Sequence, residues 1–269
     1  MSANDKVFAG SVPEIYDRLM VPLIFEPYAA DLAARARRLA PQMVLEVAAG
    51  TGAVTRALAA ALGADARMVA TDLNPPMLAQ ARLRLPDSRI AWQQADALAL
   101  PFGDESFDVV VCQFGAMFFP DKVQGYAQAR RVLKAGGRYL FNVWDEIAQN
   151  DFAAVAMQAL AELFPHDPPR FMARTPHGYH DAGTIRSELA AAGFSDIAIE
   201  TVAHRSRAAS ARDVAIAYCQ GTPWRGEIEA RDPSGLEEAT ARTADAIARR
   251  FGTGAVDGRI SALVIEATR

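Results

Sequence analysis

The segment Val44-Leu45-Glu46-Val47-Ala48-Ala49-Gly50-Thr51-Gly52 constrains this chain more than any other. It is a short, mostly apolar run that ends in a turn whose largest side chain is threonine. The apolar spacing then changes to Val54, Leu58, Leu62, one face of a helix. A strand that hands over to a helix through such a turn is the opening of a βαβ unit. A second apolar run, Met68 to Thr71, follows and ends in Asp72, 20 residues beyond Gly52.

The alternation continues. Strands are expected at Met43–Val47, Met68–Thr71, Ile90–Gln94, Phe107–Gln113 and Arg138–Trp144. Helices lie between them, at Ala53–Leu62, from Pro75 to about Leu85, and from Asp121 to Leu133. Gly63 suits a left-handed cap, Asn74 an N-cap with Pro75 at the first helical position, and Pro86 a stop. Asp121 suits an N-cap, and Ala135-Gly136-Gly137 a turn into the fifth strand. Residues 11–40 read as two helical stretches broken at Pro22. Beyond Trp144 the rhythm is interrupted by a Pro- and aromatic-containing insertion. A helix Ala182–Ala192 ending at Gly193, a strand Ile197–Ala203, a helical stretch over 209–252 carrying the stripe Leu236, Thr240, Ile247, Phe251, and a strand Ile260–Ala267 complete the pattern.

Right-handed crossovers then give a Rossmann-like, doubly wound α/β fold. Its seven-stranded sheet is mostly parallel, with helices on both faces and a helical cap from the late insertions. The expected organisation is one continuous domain. Residues 1–40 form N-terminal helices over the ligand site, 41–145 the binding core, and 146–269 the rest of the sheet with cap insertions at about 146–180 and 209–257.

Composition excludes several classes. With 51% hydrophobic and 22% charged residues among 269, the chain can bury a full core. A net charge of −4 and a pI near 5.6 argue against a nucleic-acid-binding face. No apolar run approaches the roughly 18 residues of a membrane span, and Met1 to Lys6 lacks a signal-peptide pattern. The two cysteines, Cys112 and Cys219, define no disulfide framework. The histidines show no metal-ligand spacing, so no metal is expected. A cytoplasmic protein is expected.

Small residues in the turn allow a ligand to approach the backbone closely, and an acidic residue beyond the next strand suits a ribose. A phosphate-cradling P-loop is excluded because no Gly-Lys-Ser/Thr follows. The dinucleotide fingerprint is a poor match. Counted from Gly50 its third position is Thr55, branched and polar, and counted from Ala48 the first glycine is missing. A phosphate-free adenosine ligand fits better.

Several motifs in order resemble those of the class I S-adenosylmethionine-dependent methyltransferases, in the branch that includes the ubiquinone and menaquinone C-methyltransferases. Val44 to Gly52 resembles the first motif, an acidic residue followed by alternating glycines. The resemblance implies that Ala48, Gly50, Thr51 and Gly52 line the cofactor and that Asp72, followed by Leu73, bonds the ribose hydroxyls. It also implies that Asp96 accepts from the adenine amine while the Ala97 backbone meets the ring, and that Gln113 ends the fourth strand beside the methionine portion. Arg131-Val-Leu-Lys-Ala-Gly-Gly-Arg-Tyr-Leu resembles the following helix-to-strand turn. Met77 is a further contact candidate, although it falls on the apolar stripe of its helix. The resemblance covers about residues 40 to 145, with weaker support at Ala192-Gly193-Phe194. Ala48 departs from the pattern where most relatives carry a glycine, and its methyl group is tolerable there if φ is negative.

The expected activity is methyl transfer from S-adenosyl-L-methionine to a small molecule, aromatic or apolar, with carbon, oxygen and nitrogen acceptors all open. Asn74-Pro75-Pro76-Met77 imitates the Asn-Pro-Pro-Tyr signature of amino-group methyltransferases, but follows the wrong strand and reads as a helix start. No catalytic residue is assigned. His166, His177, His180 and His204 are the candidate bases, each more readily explained as a surface or satisfied structural histidine, and Tyr16 lies in a stretch that folds over the cofactor in relatives. Two other readings stand beside this one: an NAD(P)-dependent oxidoreductase and a non-catalytic S-adenosylmethionine-binding regulator.

Overall fold

The structure, a computed structural model, describes residues 12–269. The reading of Met1 to Lys6 lies outside them, as does the first part of the N-terminal segment. Seven strands form one sheet in the order β3-β2-β1-β4-β5-β7-β6. The strands are β1 Met43–Val47, β2 Arg67–Asp72, β3 Ile90–Gln94, β4 Phe107–Gln113, β5 Leu133–Trp144, β6 Ser195–Ala208 and β7 Val256–Thr268. β1 runs parallel to β2 and β4, β2 to β3, and β4 to β5. Against β5 the chain of β7 runs the other way: Arg269 N–H bonds the Gly137 carbonyl, and Asp145 N–H bonds the Ser261 carbonyl.

The helices are α1 Val12–Ile15, α2 Glu26–Arg38, α3 Ala53–Ala61, α4 Pro75–Arg84, α5 Lys122–Val132, α6 Asp151–Leu163, α7 Phe171–Arg174, α8 Ala182–Ala191, α9 Ala211–Gln220, α10 Trp224–Arg231 and α11 Leu236–Phe251. They belong to two compact units. One comprises Tyr28–Val143, His180–Val202 and Ala262–Arg269. The other comprises the described residues through Pro27 with Trp144–Tyr179 and Ala203–Ser261.

In the first unit β1, β2 and β4 are buried on both faces, as their apolar runs require, while the edge strands β3 and β6 are largely exposed. Side chains alternate across β5. Leu140 joins an aliphatic core with Leu32, Val44, Val54, Leu58, Met68, Val109 and Val111, while Tyr139 and Phe141 face Tyr126 and Phe194 in an aromatic stack. Asp121 caps α5 by accepting from Gln124 N–H at 2.9 Å. At the amino end of β4, Asp108 accepts from the Gln42 and Met43 amides and from Lys134 at 2.7 Å. Partial burial raises its carboxyl, but these donors hold it below the usual range. That end of the sheet is structural.

The second unit packs α9 against α11, α6 and the N-terminal helical segment. Trp224, Phe152 and Ile247 are fully buried. The stripe on α11 is partly inward: Thr240 and Ile247 are buried, Leu236 and Phe251 half-buried. Thr240 stays compatible with burial by donating to the Leu236 carbonyl and accepting from Gln220.

Three local expectations are corrected. Pro22 does not break the N-terminal helix. Tyr16–Phe25 is a continuous π-helical segment with Pro22 inside it, running into α2. A widened turn accommodates a residue that has no N–H and whose ring crowds the carbonyl four residues earlier. Gly63 takes no left-handed cap; α3 ends at Ala61, two residues before it, with Leu62 extended at φ −86°. β5 begins at Leu133, five residues early, because Leu133 pairs with Phe107 before residues 134–137 bulge out and Arg138 pairs with Val109. The Ala135-Gly136-Gly137 turn is that bulge, with Gly136 at φ +72°.

Candidate functional site

The candidate site lies at the carboxyl ends of β1, β2, β3 and β4, within the first unit. The turn after β1 holds Ala48, Gly50 and Gly52 at φ +57°, +57° and +81°. The two glycines adopt this without strain, and they are needed for space as well. A β-carbon at Gly52 would lie 3.1 Å from Trp92 Cη2 and 3.2 Å from the Ala81 β-carbon. At Gly50 a β-carbon would meet only Met77 Cε, at 3.7 Å, so the turn is open to a ligand there. Met77 is thus both a buried core residue and a wall of the turn.

Ala48 overturns the condition set for it. Its φ is positive, in the region where an L side chain is strained. Its methyl group fits because Gly115, after β4, has no side chain: a β-carbon there would fall 2.5 Å from the Ala48 β-carbon and 2.7 Å from Cys112 Sγ. Sequence reasoning missed Gly115, since this pairing exists only once β1 and β4 are neighbours.

Asp72 is the hub. One carboxylate oxygen accepts the Gly50 N–H at 2.8 Å, and the other accepts the Asn74 N–H at 2.8 Å and its side-chain amide at 3.3 Å. Burial raises the Asp72 carboxyl above its ordinary value, and the Asn74 and Gly50 amides oppose that rise. Oδ1 has both lone pairs engaged by Asn74, and Oδ2 keeps one for a ligand hydroxyl. Asn74 therefore does not cap α4 with its side chain, contrary to expectation; the amide is turned to Asp72 instead. Leu73 is among the few large apolar side chains left exposed, at 43%, and its carbonyl is held by Gln94 Nε2.

Asp96 is brought alongside. Ala95 N–H bonds the Asp72 carbonyl at 3.1 Å, and Asp96 is exposed, with Oδ1 accepting from Leu98 N–H in a tight turn around half-buried Ala97. Gln113 ends β4 half-buried, opposite Asn142 on β5 and two residues before Gly115. The expected site residues are thus gathered at one edge.

Two further residues belong here. Glu46 on β1 is buried, and Thr55 on α3 donates its hydroxyl to it at 2.6 Å. Thr55 occupies the place where a dinucleotide site has a small residue for helix–strand packing. Glu46 was visible as an acid in an apolar strand; its pairing with Thr55 needed the fold. Thr51 is 1% exposed and its hydroxyl has no hydrogen-bond partner, which leaves a buried polar group for a ligand to satisfy. Open space above Gly50, this hydroxyl and the spare Asp72 lone pair fit the ribose and amino-acid tail of S-adenosylmethionine.

His166 and His180 are exposed and His204 is half-buried. His177 is buried, and its Nδ1, 2.8 Å from the Asp145 carbonyl, carries the proton because a carbonyl only accepts. In its unit it packs against Trp144, which meets Phe25, and Phe25 in turn meets Tyr16. Among the described residues no cluster of His, Cys, Asp or Glu could hold a metal ion, and no helix is long and apolar enough to cross a membrane.

Comparison with known proteins agrees with this geometry. A family model described as a methyltransferase domain matches residues 44–137, the span from β1 to the β5 bulge. The chain is 32% identical over 165 residues to the ubiquinone/menaquinone biosynthesis C-methyltransferase UbiE of Saccharophagus degradans, covering 56% of this chain and 66% of that protein. It is 33% identical over 164 residues to the enzyme of the same name from Burkholderia mallei, covering 57% and 68%. The chain thus spans about two thirds of the length of these relatives. A solved structure of a putative methyltransferase from Bacillus halodurans matches 89% of this chain and 98% of its own, with a TM-score of 0.58 and 22% identity, a likeness of fold. Sequence relatives, sheet order and the glycine turn all lead to one family, and the chain belongs to the class I S-adenosylmethionine-dependent methyltransferases, in the branch of the ubiquinone and menaquinone C-methyltransferases.

Proposed function

We propose that this enzyme methylates a small aromatic or apolar acceptor in the cytoplasm, at carbon, and that acceptor recognition belongs to the helical unit with its segments at about 146–180 and 209–257. The observation that carries this reading is the likeness to two C-methyltransferases over more than half of the chain. In the core, Asp72 accepts the ribose hydroxyls, the Gly50 and Thr51 region receives the amino-acid tail, Asp96 and Ala97 meet the adenine, and Leu73, Met77 and Gln113 line the ligand. The cofactor supplies an activated methyl group on a sulfonium. The protein's task is then chiefly alignment of donor and acceptor, which can supply roughly 7–11 kcal/mol. Aromatic side chains in the helical unit (Tyr16, Phe25, Trp144) support a planar apolar acceptor, and the net charge of −4 supports a partner other than nucleic acid.

The test is transfer of a labelled methyl group to a panel of quinols, phenols and amines, with the product's methyl position fixed by mass spectrometry and NMR. Methyl on a ring carbon is the expected result. Transfer to oxygen or nitrogen alone would replace the carbon assignment, and binding of S-adenosylmethionine without transfer across the panel would favour a regulator.

A further inference from the structure

Two carboxyl groups are buried beside the same turn. β1 and β2 are hydrogen-bonded neighbours, with Glu46 opposite Ala70 and Asp72 two residues beyond it. Their surroundings differ. Asp72 is supported by three N–H donors on two residues, Gly50 and Asn74. Glu46 has Thr55 alone, whose hydroxyl donates to Oε2 and whose backbone N–H adds a weaker bond. The groups around Glu46 are few: Asp72 from β2, Thr55 and Arg56 from α3, and the Cys112 thiol from β4. Arg56 turns its guanidinium to the Thr51 carbonyl, and burial pushes the Cys112 thiol up to about 12, so it carries no charge at ordinary pH. Two carboxylates this close in a water-excluded site cannot both be charged without cost, and the less supported one keeps a proton.

We propose that Glu46 makes the site sensitive to the ligand's charge: protonated in the cofactor-free protein, it releases that proton when a cationic ligand binds beside it, so the site favours the sulfonium donor over its neutral thioether product. Resting on the placement of the cofactor at this turn, the idea needs no contact between Glu46 and the ligand, because a charge nearby in a low-dielectric site is enough. S-adenosylmethionine carries one more positive charge than S-adenosylhomocysteine. Its arrival favours the ionised carboxyl, the proton passes to solvent, and loss of the sulfonium charge on methyl transfer reverses the preference and helps product leave. Burial pushes the Glu46 carboxyl up to about 8, with the Thr55 hydrogen bonds and the Arg56 charge opposing and Asp72 adding to the rise, which places the exchange within the working range of pH.

Calorimetric titration at pH 7 in phosphate and in Tris, whose ionisation heats differ, counts the protons released on binding. The wild-type protein is expected to release close to one proton per S-adenosylmethionine and clearly fewer per S-adenosylhomocysteine. Glu46→Gln, which keeps an oxygen for Thr55 but cannot ionise, is expected to lose that release. The amino group of either ligand titrates near pH 8 as well, but it is common to both proteins, so the difference between them isolates Glu46. In the wild type alone, the ratio of the two dissociation constants should grow several-fold in favour of S-adenosylmethionine between pH 6 and 8. No proton release, equal release in Glu46→Gln, or a ratio that stays flat with pH would overturn the proposal while leaving the cofactor site standing. Failure of both ligands to bind the wild type would remove the site and the proposal together.

Discussion

Ala48 holds a conformation that favours glycine, at φ +57°. The left-handed region costs a residue with a β-carbon about 1–2 kcal/mol, and glycine returns part of that through its freer unfolded chain. Ala48→Gly should therefore stabilise the protein by up to about 1 kcal/mol in denaturant unfolding; a loss would show that the methyl contact with the Gly115 turn outweighs the strain. Asp72→Ala removes a charged acceptor and should weaken S-adenosylhomocysteine binding by roughly 1.5–3 kcal/mol with the fold retained. Unchanged affinity would move the ribose elsewhere. Glu46 makes a separate statement about stability. Its carboxyl is raised to about 8 by burial, above its unfolded value, so between the two values the native state holds more protons than the unfolded one and stability falls as pH rises. Glu46→Gln should raise the Tm at pH 8–9 by more than at pH 5, and an equal shift at both would contradict a protonated Glu46. At this scale Gly50, Gly52 and Asp72 were legible because each belongs to a local pattern. The sign of φ at Ala48 and the partner of Thr55 were not, since both depend on neighbours brought in by β4 and α3.

The elements follow from the sequence to differing degrees for physical reasons. β1 and β4 have the bounds their apolar runs give, because a strand buried on both faces reads as one uninterrupted run. β5 begins early because its first pairing precedes a bulge, and a bulge keeps no period for the sequence to display. The π-helical segment was read as a break, because proline forbids a regular α-helix without dictating what replaces it. Asp121 was legible as a cap and acts as one; Asp121→Ala should cost about 0.5–2 kcal/mol of stability in urea unfolding. A value near zero would mean that tertiary packing, rather than the cap, fixes the start of α5. Gly115→Ala sets a β-carbon 2.5 Å from Ala48 and should cost more. It should also weaken cofactor binding, because the turn after β1 must shift to make room.

For the whole molecule, chain order and sheet order together give the family. Parallel strands place β1, β2 and β4 with their carboxyl ends on one side, and the small-residue turn after β1 then faces the acid after β2. This was legible in sequence because it needs only alternation and the positions of a few residues. The second unit was not, since it joins segments distant in the chain (12–27, 144–179 and 203–261) that no local pattern connects. Direct titration of the purified protein with S-adenosylhomocysteine, with NADH as control, tests the central claim most directly. Micromolar binding of S-adenosylhomocysteine and none of NADH is expected; binding of NADH alone would contradict the placement of S-adenosylmethionine at the Ala48–Gly52 turn.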